Sequence, residues 1–140
     1  MKRSLMIAVT AALACAAFAV VAVVAAAHTA RYDSRVTISF QRGHGQGGDT
    51  FSGRVISVKK PCERNRRVDV RMRLEGPDAL VGTTFTDRDG HWDLHPGSTP
   101  SGTYYAKAKR KVLLRTASHR HICKAEISND LPVGRGKPKP

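Results

Sequence analysis

The chain has 140 residues, a formal net charge of +13 from 24 Lys and Arg against 11 Asp and Glu, and 41% hydrophobic residues. Once a targeting segment is set aside, that length holds one domain and excludes a second. The basic balance favours anionic partners at low salt and names none of them.

Lys2 and Arg3 form a positive start, Leu5 to Ala26 is an apolar run interrupted only by Thr10, and Ala25-Ala26-Ala27 places small residues where a signal peptidase cuts. Residues 1–27 therefore read as a signal peptide, with the mature chain starting at His28 and secreted or held at the cell envelope. The competing reading keeps the run as an uncleaved anchor, since it is long enough to span a bilayer. Cys15 only weakly resembles a lipoprotein cleavage box, because the apolar run continues past it. Losing Lys2 and Arg3 lowers the net charge to +11. Two cysteines, Cys62 and Cys123, then remain in an oxidising compartment, where they are expected to pair.

Residues 28–34 read as a loose polar lead-in. Val36, Ile38 and Phe40 alternate with polar residues, the period of a half-buried strand. Gln41 to Asp49 carries four glycines and reads as a flexible loop holding His44. Phe51 to Val58 resumes strand character, and Lys59 to Arg66 is a charged turn containing Cys62. In the next strand Val68, Val70, Met72 and Leu74 take the core face, and Asp69, Arg71 and Arg73 take the water face. Val81 to Leu94 reads as a β-hairpin, with Phe85 and the chain's single Trp, Trp92, on either side of Asp87-Arg88-Asp89-Gly90. His95 to Gly102 is a loop by composition. Thr103 to Leu114 is a long strand with Tyr104, Ala106 and Ala108 inward, and it must bulge or leave the sheet before Arg110 enters the core. A last strand, Ile122 to Ser128, points Cys123, Ala125 and Ile127 inward, and residues 129–140 form a disordered basic tail. These seven strands, spanning 35–128, predict an all-β, two-sheet antiparallel sandwich of broadly immunoglobulin-like order.

Phe51-Ser52-Gly53-Arg54-Val55, the following Cys62, the stretch Thr86 to Trp92, and Gly102-Thr103-Tyr104-Tyr105-Ala106 resemble the prealbumin-like sandwich modules grouped as carboxypeptidase-regulatory-like domains. In that group a Thr-Asp strand end, a Gly turn, an aromatic and a later Pro-Gly-x-Tyr recur. Here the proline is displaced, since Pro100-Ser101-Gly102 precedes Thr103-Tyr104. The resemblance implies a non-catalytic extracellular module. The hydroxyisourate hydrolases share the prealbumin-like fold, but they end in Tyr-Arg-Gly-Ser and carry paired histidines; this chain ends Lys137-Pro138-Lys139-Pro140.

No catalytic residue and no cofactor is expected. Asp87-x-Asp89-Gly90 lacks the remainder of a calcium loop and is explained by a turn. His119 and His121 point to one side of a strand, but spacing supplies no third ligand and the surrounding cations oppose a metal ion. An amino-terminal His28 could chelate copper through its amine and imidazole, as in the lytic polysaccharide oxygenases, whose larger scaffold this chain lacks. A small copper- or zinc-binding protein or enzyme built on His28 is accordingly the alternative function. The primary expectation is a basic sheet face formed by Arg71, Arg73, Tyr105, Lys107, Lys109, Lys111 and Lys124. Such a face would hold an anionic polymer or cell-envelope component with loose specificity and strong salt dependence. Export argues against nucleic acid as the natural partner, and membrane contact is expected only through the N-terminal segment if it stays uncleaved.

Overall fold

The structure, a computed structural model, describes residues 27–43 and 48–134. All but Ala27 of the expected signal peptide, the middle of the glycine loop with His44, and residues 135–140 lie outside the described residues. The protein is all-β. Its strands are β1 (His28–Tyr32), β2 (Arg35–Val36), β3 (Ser39–Gln41), β4 (Asp49–Ile56), β5 (Arg67–Met72), β6 (Ala79–Phe85), β7 (His91–Gly97), β8 (Gly102–Ala108), β9 (Lys111–Arg115), β10 (His119–Cys123), β11 (Glu126–Ile127) and β12 (Leu131–Val133), with one 3₁₀ turn at Lys60–Cys62. Among the described residues no helix is long and apolar enough to cross a membrane.

Two sheets face each other. In the first, β2 and β3 run successively along one edge of β4 and β7 pairs with the other. In the second, the order is β6-β5-β8, with β11 and β12 sharing the far edge of β8. Period-two alternation gives each sheet one apolar face. Val36, Phe51, Val55 and Trp92 from the first sheet pack against Val68, Val70, Tyr104, Ala106 and Ala108 from the second, all buried. A third, smaller sheet has the order β1-β10-β9, in which β1 runs parallel to β10 and β9 antiparallel to it.

Several sequence expectations are corrected. The stretch from Val81 to Leu94 is not a hairpin, since β6 pairs with β5 and β7 pairs with β4. Asp87-Arg88-Asp89-Gly90 instead carries the chain from one sheet to the facing one. The Asp87 carboxylate accepts the amides of Asp89 and His91 at 2.8 and 2.9 Å, and the Gly90 carbonyl takes the Val55 amide at 2.8 Å, which starts β7 along β4. Residues 28–32 are a paired strand, not a loose lead-in, and Leu131–Val133 pairs with β8 where a tail was expected. The expected last strand divides into β10 and β11, leaving Ala125 exposed and Ile127 47% exposed. Leu74, expected in the core, is half exposed, whereas Asp69, expected in water, is 2% exposed. The long strand from Thr103 does end as anticipated: β8 stops at Ala108 and the chain resumes as β9 in another sheet, so Arg110 never enters the core.

One polar knot ties these layers together. Cys62 and Cys123, 61 residues apart, form a disulfide with Cα atoms 5.5 Å apart. Beside it the wholly buried Arg66 donates to the carbonyls of Lys109, Lys124 and Cys62, and to Ser34 Oγ. Glu63, also buried, accepts the Ser57 amide at 2.8 Å and Lys60 Nζ at 2.9 Å. The Thr86 amide and hydroxyl bond Arg66 and Glu63 carbonyls, which fixes the end of β6 to the same knot.

Two glycines separate backbone strain from crowding. Gly90 and Gly97 both have positive φ, at 83° and 84°. A Cβ on Gly90 would lie 2.3 Å from the Val55 carbonyl oxygen, whereas one on Gly97 meets nothing within 4 Å. Gly97→Ala should cost about 1 kcal/mol from conformation alone. Gly90→Ala should cost several times that, read as the difference between their urea midpoints. Equal midpoints would mean that the crossing between sheets yields without cost.

Candidate functional site

The face expected to bind anions is the outer surface of the β6-β5-β8 sheet. Register places Arg71 beside Tyr105 and Asp69 beside Lys107, so these four do share one surface. Acidic neighbours occupy much of it. Arg73 lies just past β5, stacked 4.2 Å from the centre of the Tyr105 ring, and its Nε and Nη2 donate to the Asp130 carboxylate at 3.0 and 2.9 Å. Tyr105, itself buried, donates its hydroxyl to Asp78 at 2.7 Å. That hydroxyl, with the Leu74 amide and the guanidinium groups of Arg73 and Arg71, holds the Asp78 carboxyl below the usual aspartate range against the opposing effect of burial. Asp69 accepts Arg67 Nε at 3.0 Å and the Thr83 hydroxyl at 2.9 Å, and Lys109 Nζ lies 3.9 Å away. Of the expected basic residues on this face, Arg71 and Lys107 alone make no ion pair among the described residues.

The other two lysines lie elsewhere. Lys111 is the first residue of β9 in the small sheet, where its Nζ donates to the carbonyls of Pro61 and Arg64 at 3.2 and 2.6 Å. Burial, and then the nearby Arg66, lowers its pKa. Lys124 follows β10 and pairs with Asp33. The seven residues thus fall into two groups, the outer face of one sheet and the knot beside the disulfide.

The small sheet is the more one-sided in charge, a concentration that reading the strands separately misses. Its three strands contain Arg31, Lys111, Arg115 and Arg120 with His28, His119 and His121, and no acidic residue. β9 and β10 form a hairpin closed by Thr116, whose hydroxyl accepts the His119 amide at 2.9 Å. β1 then lies along β10 with His28 opposite His119 and Ala30 opposite His121. The His28 and His119 rings are 6.3 Å apart, and Tyr32 stands edge-on to His121 at 5.9 Å. A cavity of about 220 Å³ lies between Ala27, His28, Arg115, Ser118, His119 and Arg120. This grouping was hidden because 28–34 gives no strand signal by itself: β1 exists by pairing with β10, not by its own alternation.

Of the other histidines, the two that lie among the described residues, His91 and His95, sit beside acids. His91 Nδ1 lies 3.9 Å from Asp87 and His95 Nδ1 lies 3.3 Å from Asp93. No cluster of three or more His, Cys, Asp or Glu residues is close enough to hold a metal ion among the described residues. A second cavity, about 360 Å³, opens between the β2 edge and the β11–β12 edge, lined by Arg35, Ile38, Glu126, Asn129 and Asp130. Comparison with protein-family models, with curated proteins and with solved structures finds no match.

The structural carboxylates predict an acid limit. Burial alone would raise the Glu63 pKa, but the Ser57 amide and the Lys60 ammonium outweigh it and hold the group low. Asp49 is likewise held low, with the Gly43 amide, Thr99 and Arg42 outweighing burial, and the Asp87 carboxyl is lowered chiefly by the amides of Asp89 and His91. Depressed folded-state values stabilise the fold above the ordinary carboxylate range. That contribution is lost as pH falls through the depressed values. The urea midpoint should hold between pH 7 and 5 and drop steadily below about pH 4. Glu63→Gln should flatten the drop, and an unchanged slope in that variant would show that Glu63 does not contribute.

Proposed function

We propose that the protein is a secreted, non-catalytic binding module that contacts anionic cell-envelope or extracellular polymers through a basic sheet face. Two facing sheets enclosing one apolar core are consistent with the prealbumin-like, immunoglobulin-like sandwich of the carboxypeptidase-regulatory-like modules. The Cys62–Cys123 disulfide suits an oxidising compartment. The observation that carries the binding role is the small sheet, whose strands bear Arg31, Arg115 and Arg120 and no acid, with its one lysine, Lys111, turned to backbone carbonyls. Arg115 and Arg120 face each other across β9 and β10, so phosphate, sulfate or carboxylate groups along a polymer could engage both. Arg71 and Lys107 on the large sheet add a second, weaker contact, because Asp69, Asp78 and Asp130 screen their neighbours. Attraction of this kind is loosely specific and falls steeply with salt.

Retention on a heparin column tests the assignment. Arg115→Glu with Arg120→Glu should elute at clearly lower salt than the parent, and Arg71→Glu with Lys107→Glu should shift elution less. If neither pair moves the elution point, the contact lies outside both sheets and the assignment is wrong.

A further inference from the structure

We infer that the protein, once cut after Ala27, binds one copper(II) ion at the start of β1 through the His28 amine, the His28 imidazole and the His119 imidazole. This rests on the export and cleavage included in the proposed function.

Parallel pairing of β1 with β10 puts His28 directly opposite His119. Both are exposed, so an ion can reach them from solvent. Their ring centres are 6.3 Å apart. Two imidazoles on opposite sides of one ion, each donating from about 2 Å, hold their ring centres at about 6 Å.

Two contacts prepare the donors. His119 Nδ1 is engaged with Ser118 Oγ at 2.9 Å, which leaves Nε2 as the available nitrogen and fixes the ring. The His28 backbone nitrogen donates to the Ser118 carbonyl at 2.8 Å, which anchors that nitrogen beside the same hairpin tip. After cleavage this nitrogen is an amine. A neutral amine keeps one N–H for Ser118 and has a lone pair for the metal. Amine and Nδ1 of a single histidine close a six-membered chelate ring. The three donors are all nitrogen, a set that suits the tetragonal preference of copper(II), and copper(II) leads the divalent series in affinity for such sites. The amine makes up the third ligand that the side chains alone lack.

Arg115 and Arg120 line the same cavity. Their charge disfavours a bare dication, and it attracts an anion to the copper position that the protein leaves open. The site thus joins a metal to the basic surface assigned above.

The test uses the full chain expressed with its N-terminal segment and recovered after export. Intact mass first reports where the chain begins. Copper(II) is then titrated by calorimetry, with electron paramagnetic resonance to count nitrogen ligands. The expected result is a chain starting at His28 that binds one equivalent of copper with three nitrogen donors. Affinity should fall at least ten-fold in both His119→Ala and His119→Gln, since loss of a mere supporting partner already costs about that much. If the chain starts elsewhere, the cleavage reading and the copper site fail together. A chain that starts at His28 but binds no copper, or binds it equally well in both His119 variants, overturns the site and leaves export standing.

Discussion

Chain segments far apart in sequence meet at the guanidinium of Arg66. Its donors reach the backbone of Cys62, Lys109 and Lys124 and the hydroxyl of Ser34, so the start of β2, the 3₁₀ turn, the end of β8 and the exit from β10 are held by one side chain. Only arginine offers five donors spread in a plane, and a lysine could not satisfy acceptors in so many directions. No carboxylate pairs with this buried cation among the described residues, so carbonyl dipoles offset its desolvation cost. The disulfide beside it closes the same junction covalently. Without this knot, the small sheet would have few means of holding its place against the two-sheet body.

That junction also shapes the electrostatics. Lys109, Lys111 and Lys124 all converge on it, and each spends its charge on a neighbour: Asp69 for Lys109, backbone carbonyls for Lys111, Asp33 for Lys124. Arg73 is similarly committed to Asp130 and Tyr105. A count of basic residues therefore overstates what the large sheet offers an anion. The small sheet has no acidic residue in its strands to perform such neutralisation. Arg31, Arg115 and Arg120 make no ion pair among the described residues, and the same strands bring His28 and His119 together.

Alternation made much of the body legible in the sequence. Val68 and Val70 on one strand and Tyr104, Ala106 and Ala108 on another were readable as core positions from period two, whereas the pairing of these two strands was expected only from an assumed immunoglobulin-type order. The end of β8 before Arg110 followed from the cost of burying that side chain. The cysteine pairing followed from the count and from the compartment that the N-terminal segment led us to expect. What escaped were features set by partners, not by local pattern. Asp-Gly signals a reversal, but whether the chain returns in its own sheet or in the facing one depends on β4 offering Val55 to the Gly90 carbonyl. Arg66 sits in a run of charges that reads as solvated, and nothing local says that carbonyls from two distant strand ends surround it. Asp69 has outward parity and is nevertheless covered by Arg67 and Thr83.

Hydrogen exchange on an Arg66→Met variant tests most directly whether this knot fixes the small sheet to the body. Amides of β1 and β10 should lose protection well beyond those at the centre of β5 and β8, because their attachment passes through Arg66 and the disulfide while the apolar core between the large sheets remains. An equal loss throughout the chain, or unchanged protection in β1 and β10, would contradict the account.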